Sequence, residues 1–196
     1  MTARPGSAAI KQHSFCFLVK SLPFLGDFGK GQGEVWYNRR RKGRWKPCPT
    51  LNETKKLGRA LGTVLGDGDV VLLDGDLGAG KTTLVTEIAE TLGVDRRDVS
   101  SPTFSLMNVY RGKKLTLQHF DLYRLTSSEE LDHIGFYEYV GAPGVTFIEW
   151  AELFPCEMPE DHLSITLRQE GAGRVAELVP HGAHYEALVR KVEELC

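Results

Sequence analysis

The run Gly75-Asp76-Leu77-Gly78-Ala79-Gly80-Lys81-Thr82 limits the possible folds of this chain more than any other stretch. A G-x-x-x-x-G-K-[ST] loop carries meaning only between a buried strand and the start of a helix. Both flanks fit. Val70 to Leu73 is a short, continuous apolar run bounded by Gly68-Asp69 and Asp74-Gly75, the pattern of a buried parallel strand. Leu84, Val85, Ile88, Ala89 and Leu92 then recur at helical spacing, and Gly93 stands where the helix should end. Glycines let the backbone turn its N–H groups toward phosphate oxygens, and the helix N-terminus adds a favourable dipole. Lys81 is placed to reach the outer phosphates of a nucleotide, and the Thr82 hydroxyl to ligate magnesium.

Two later strand-like runs end in carboxylates. In Leu115-Thr116-Leu117-Gln118-His119-Phe120 the apolar residues alternate, which puts Asp121 at the end of a strand and Arg124 just beyond it. Open α/β sheets place ligands at such ends. Asp121 there could hold a metal-bound water or orient an attacking one, with Arg124 neutralising charge. The same spacing equally fits a surface pair of Asp121 with Arg124 and a core histidine at 119. Val145-Thr146-Phe147-Ile148 is a second apolar run, and Glu149 at its tip is a candidate second anchor for magnesium. Trp150 follows directly.

The remaining elements complete an α/β reading of the P-loop NTPase type, a largely parallel central sheet flanked by helices and carrying antiparallel hairpins. Thr50 and Glu53 have the spacing of a capping box, opening a helix with Leu57, Leu61, Val64 and Leu65 on its apolar stripe. Arg111 to Lys114 reads as the turn of one hairpin and Arg168 to Gly173 as the turn of another. Tyr185, Leu188, Val189 and Val192 mark a last amphipathic helix. Ser101-Pro102-Thr103-Phe104 is either a structural turn or a segment that senses the terminal phosphate.

Charge divides the 196 residues in two. Residues 1–49 hold ten Lys or Arg against Asp27 and Glu34, about +8, which leaves about −10 for residues 50–196 out of a total of −2. Residues 1–49 therefore read as a basic, disordered extension. Residues 50–196 read as the nucleotide-binding domain, long enough to bury roughly 70% of its unfolded surface. Arg39 to Lys42, with Trp36, Tyr37 and Trp45 nearby, would also suit nucleic acid. The apolar cluster Phe15 to Leu25 is broken by Lys20 and Pro23 and is too short to span a bilayer, so no membrane association is expected. Cys16, Cys48, Cys156 and Cys196 show no C-x-x-C spacing, and free thiols in a cytoplasmic protein are expected.

The loop G-D-L-G-A-G-K-T-T, then S-P-T-F, then H-F-D-L-Y-R-L, then an apolar strand ending E-W, occur in order at compatible spacing. Together they resemble the bacterial TsaE (YjeE) family from about Thr50 to the C-terminal helix. The resemblance implies a small ATPase using ATP and Mg2+ that works with TsaD and TsaB in the threonylcarbamoyl modification of tRNA adenosine 37, meeting tRNA through that complex. It also implies roles for particular residues. Asp76, Leu77, Gly78, Ala79, Gly80, Lys81, Thr82 and Thr83 would cradle the phosphates, with Thr82 and Glu149 on magnesium. Lys81, Asp121 and Glu149 would act in hydrolysis, Trp150 would lie beside the site, Arg174 would contact nucleotide and Thr50 would approach the adenine. Residues 1–49 have no counterpart in the family pattern. Two other functions share the loop: a small-molecule kinase, which needs an acceptor site and an arginine-rich lid, and a nucleic-acid-binding module regulated by ATP.

Overall fold

The computed structural model describes residues 43–48, 50–171 and 173–196. In chain order they form β1 (Arg44–Cys48), α1 (Leu51–Val64), β2 (Val70–Asp74), α2 (Lys81–Thr91), a 3-10 turn (Arg96–Asp98), β3 (Met107–Arg111) and β4 (Thr116–Asp121). Next come α3 (Glu129–His133), α4 (Phe136–Tyr139), β5 (Val145–Glu149), a second 3-10 turn (Ala151–Leu153), β6 (His162–Glu170), β7 (Gly173–His181) and α5 (Ala183–Leu195). The strands make one sheet in the order β1-β7-β6-β2-β5-β4-β3. Its centre, β6-β2-β5-β4, is parallel, while β7, β1 and β3 run antiparallel to their neighbours. The expected P-loop NTPase-like architecture is therefore present, and the two hairpins are β3–β4 and β6–β7.

Strand alternation sorts the core into two layers. Val71 and Leu73 of β2, Leu117 of β4 and Val145 and Phe147 of β5 face α1, α2 and α5. Val70 and Leu72, Phe120 and Ile148 face the opposite way, against Leu131 of α3 and Phe136 of α4. The apolar stripe read for α1 is on the inside, with Leu57, Leu61 and Leu65 buried. Its N-terminus departs from the expected capping box. The Thr50 hydroxyl bonds the Glu53 carboxylate and makes no cap of its own, while the Glu53 carboxylate also takes up the backbone of Thr50 and Glu53, so only one half of the box forms. An ionised acceptor makes the stronger bond, and that bond holds the Glu53 carboxyl below its usual range.

The expected boundary at residue 50 falls after a strand rather than before one. β1 pairs with β7 from Arg44↔Leu178 to Cys48↔Arg174, Cys48 is buried, and Arg44 forms an ion pair with Glu193 of α5. A truncation through residue 49 would remove this edge strand. The readings made for residues 1–42, including the basic and aromatic stretch before Gly43 and the apolar cluster at Phe15, lie outside the described residues. Of the cysteines expected to be free, Cys48 and Cys196 are free thiols, whereas Cys156 is disulfide-bonded. No helix among the described residues is long and apolar enough to cross a membrane.

Candidate nucleotide site

The loop after β2 begins at Gly75, whose φ of +139° lies outside the range of ordinary side chains, and a Cβ there would collide with the Leu167 carbonyl of β6. Gly80, at φ +105°, is the N-cap of α2. The chain thus turns sharply against the sheet and enters the helix with its first N–H groups unbonded within the helix. Ala79 N–H closes the loop on the Asp76 carbonyl at 3.0 Å. Leu77 stands at the crest, fully exposed. Thr82 and Thr83 occupy the first turn of α2.

Lys81 folds back along the loop. Its Nζ donates to the Gly75 carbonyl at 2.5 Å and the Asp76 carbonyl at 3.4 Å, and lies 3.6 Å from Glu149 Oε2. Glu149 ends β5 beside β2, in register with Leu73 on one side and with Asp121 of β4 on the other. The parallel strands therefore deliver both carboxylates and the loop to one edge of the sheet. Both acids are buried, so their charge needs partners. For Glu149 these are Lys81 and His119, whose Nε2 is 2.9 Å from Oε1. Asp121 accepts from the Thr103 hydroxyl at 2.7 Å and from Tyr123 N–H at 3.1 Å.

The backbone around these acids is unusual. Leu106 and Trp150 are the non-glycine residues with positive φ among those described, at 63° and 61°. The Leu106 carbonyl accepts from Asp121 N–H, and Trp150 directly follows Glu149. Such conformations persist where surrounding structure holds them, and they cluster at functional sites. Turning the chain at Trp150 lays its ring against Tyr123, with centroids 4.8 Å apart.

Arg174, placed by the β6–β7 hairpin, reaches the loop from across the sheet. Its Nε donates to the Ala79 carbonyl at 2.7 Å and Nη2 to the Gly78 carbonyl at 3.4 Å. Thr50 makes no contact of this kind, but α1 and α2 run side by side in the same direction, since Gly58 abuts Leu84 and Glu87 while Gly62 abuts Ile88 and Thr91. The start of α1 consequently lies at the loop end. The alternative surface pair of Asp121 with Arg124 is not the arrangement found, because Arg124 stacks over the Phe104 ring at 4.7 Å. Two contacts escaped sequence reasoning: Thr103 on Asp121 and His119 on Glu149. Alternation does put His119 and Asp121 on one face, and that was the available signal for the second.

Oxygen donors next to a phosphate-binding loop suit a hard divalent cation, which in nucleotide sites is held by one or two protein oxygens together with phosphates. Glu149, at the edge of the sheet, and Thr82, in the first turn of α2, carry oxygens of the type such a cation takes. Among the described residues no group of three or more His, Cys, Asp or Glu side chains could hold a metal by itself.

Known proteins resemble this chain in sequence and in fold. The family model described as "Threonylcarbamoyl adenosine biosynthesis protein TsaE" matches residues 48–176. A Treponema pallidum protein named tRNA threonylcarbamoyladenosine biosynthesis protein TsaE is 45% identical over 119 residues, covering 61% of this chain and 87% of its own. The Bacillus subtilis protein of the same name is 37% identical over 152 residues, covering 76% and 92%. The crystal structure of Bacillus subtilis YdiB superimposes with a TM-score of 0.66 at 30% identity, covering 80% of this chain and 98% of that one.

Proposed function

The chain belongs to the TsaE family of threonylcarbamoyl adenosine biosynthesis proteins, and we propose that it is an ATPase whose hydrolysis of Mg-ATP supports TsaD and TsaB in modifying tRNA adenosine 37. The observation that carries the catalytic part is the convergence of Lys81 and Glu149 on the loop, 3.6 Å apart at the edge of the parallel sheet. The ATPase domain on this reading begins with β1, and the protein works in the cytoplasm, meeting tRNA through the complex.

In the proposed site the loop N–H groups from Asp76 to Thr83 cradle the phosphates. Lys81, freed from the Gly75 and Asp76 carbonyls that it now engages, moves onto the outer phosphate oxygens. Magnesium, when bound through Thr82 and Glu149, would neutralise charge that builds on the phosphates during transfer. Asp121 orients the attacking water, and its bond from Thr103 links it to the segment that would sense the terminal phosphate. Arg174 keeps the Gly78 and Ala79 carbonyls turned toward itself and away from the nucleotide, and because the peptide is planar and trans the Gly80 N–H, opposite the Ala79 carbonyl, points the other way, inward. Arg174→Ala should therefore weaken nucleotide affinity about 5-fold, the worth of one partly exposed hydrogen bond of about 1 kcal/mol. Titration with a fluorescent ATP analogue measures this, and an unchanged affinity would remove Arg174 from the binding machinery.

A protein partner is supported by the rim of the site. Leu77, Phe104, Tyr123 and Leu153 are large apolar side chains left exposed, with Phe104 84% and Tyr123 58% accessible. Exposed apolar groups collected around a site mark a docking surface. Different affinities of the ATP and ADP states for the partner would let turnover reset it.

Measuring ATP hydrolysis by the protein alone and with TsaB, TsaD and substrate tRNA, for wild type, Glu149→Ala and Asp121→Ala, tests the whole reading. Stimulation by the partners that disappears in both variants is expected. Equal turnover with and without them would sink the coupling, and phosphate transfer to a metabolite in place of water would make the protein a kinase.

A further inference from the structure

His119 lies inside the β4–β5 pair with no exposed surface. It sits two residues before Asp121 on the same face of β4, opposite Phe147 in register, and directly behind Glu149 as seen from the loop. Its Nε2 is 2.9 Å from Glu149 Oε1. A carboxylate only accepts hydrogen bonds, so Nε2 carries the hydrogen in this contact. The other ring nitrogen, Nδ1, has no hydrogen-bond partner among the described residues. A buried polar atom without a partner is unfavourable. Packing alone would be served better by an apolar ring like those of Phe120 and Phe147 in the neighbouring positions, so the imidazole owes its place to the bond with Glu149.

That bond leaves the two carboxylate oxygens with different duties. Oε1 is tied to His119, while Oε2 faces Lys81 and the loop. Without His119 the carboxylate could turn about its terminal torsion, a broad and soft one, and draw both oxygens toward the Lys81 ammonium. We propose that His119 is a positioning residue that fixes the Glu149 carboxylate so that Oε2 alone is presented to a nucleotide-bound divalent cation. This rests on Glu149 being a metal ligand, as proposed above. Groups that hold a ligating carboxylate from behind typically change metal affinity or activity about 10–100-fold when removed.

The test uses the full chain saturated with a non-hydrolysable ATP analogue, with Mn2+ as the probe and its affinity read by electron paramagnetic resonance. Analogue affinity in excess chelator is measured alongside. The variants are His119→Leu, His119→Gln, His119→Asn and Glu149→Ala. Glutamine places an amide N–H close to the Nε2 position, whereas asparagine places one near Nδ1 and falls short of Glu149. His119→Leu and His119→Asn should bind Mn2+ about 10–100-fold more weakly, with metal-free analogue affinity within about 2-fold of wild type, and His119→Gln should recover most of the loss. The Gln and Asn pair decides the matter even if His119→Leu does not fold, because both are polar and only one reaches. Equal Mn2+ affinity of His119→Asn and wild type, with Glu149→Ala weakened, would overturn the positioning role and leave the ligand role of Glu149 intact. Unchanged Mn2+ affinity in Glu149→Ala would overturn both.

Discussion

Lys81→Ala is expected to lower ATP hydrolysis by about 10²–10³-fold, the range seen when one preorganised charge-stabilising donor is removed from a transition state. Two effects act together. The outer phosphate loses a cation held in a largely buried position, with the side chain 10% exposed, and Glu149 loses the one Lys or Arg cation placed beside its buried carboxylate among the described residues. Lys81→Arg should not restore activity, because a planar guanidinium on a longer stem cannot occupy the space in which the ammonium touches the Gly75 and Asp76 carbonyls. Steady-state kinetics with ATP, at magnesium concentrations high enough to saturate wild type, give the numbers. A variant retaining more than about a tenth of wild-type kcat would show that Lys81 is not placed where charge develops.

The second large effect concerns stability. Gly58 lies in the middle of α1 and Gly62 in its last turn, and inside a helix glycine costs about 1 kcal/mol relative to alanine. The helix keeps them because α2 passes too close for a side chain. A Cβ on Gly58 would come within 2.6 Å of Glu87 Cβ, and one on Gly62 within 2.7 Å of Thr91 Cβ and 3.0 Å of the Ile88 carbonyl. The contact also seats Glu87, which is buried and meets Lys55 at 3.7 Å, Arg59 at 3.1 Å and Arg96 at 2.9 Å. Gly62→Leu forces the helices apart and strains this cluster, so a loss of about 1–3 kcal/mol is expected, or about 2–4 °C of Tm per kcal/mol. Gly66→Ala is the control, since a Cβ there would meet nothing nearer than Asp69 Oδ2 at 3.9 Å. Thermal unfolding that leaves Gly62→Leu level with wild type would mean that the close approach of α1 and α2 carries no weight.

Neither glycine announces this role in the sequence. A glycine inside a helical pattern lowers confidence in the helix, and the close approach depends on which helix lies alongside. β1 was invisible for a related reason. Arg44-Trp45-Lys46-Pro47-Cys48 has two charges and a proline, with no run of apolar alternation. Proline is tolerated in a strand only where no N–H is needed, and the edge position beside β7 supplies that. Arg44 is explained by Glu193 of α5, 149 positions away.

What the sequence determined by itself is what local spacing can encode. The strand, loop and helix around Gly75 to Thr82, the carboxylates at the ends of β4 and β5, and both hairpins follow from apolar periodicity and turn chemistry within about ten residues of each feature. The tertiary structure alone decided which of these features meet. Parallel strands have no short connection that fixes their order, so the placement of β5 between β2 and β4, which brings Glu149 beside both Lys81 and Asp121, had to come from packing. His119 finds Glu149 across 30 positions, and Arg174 finds the Ala79 carbonyl across 95. Such contacts form because burying the two apolar faces of one sheet brings distant segments together, and burial depends on the whole chain at once.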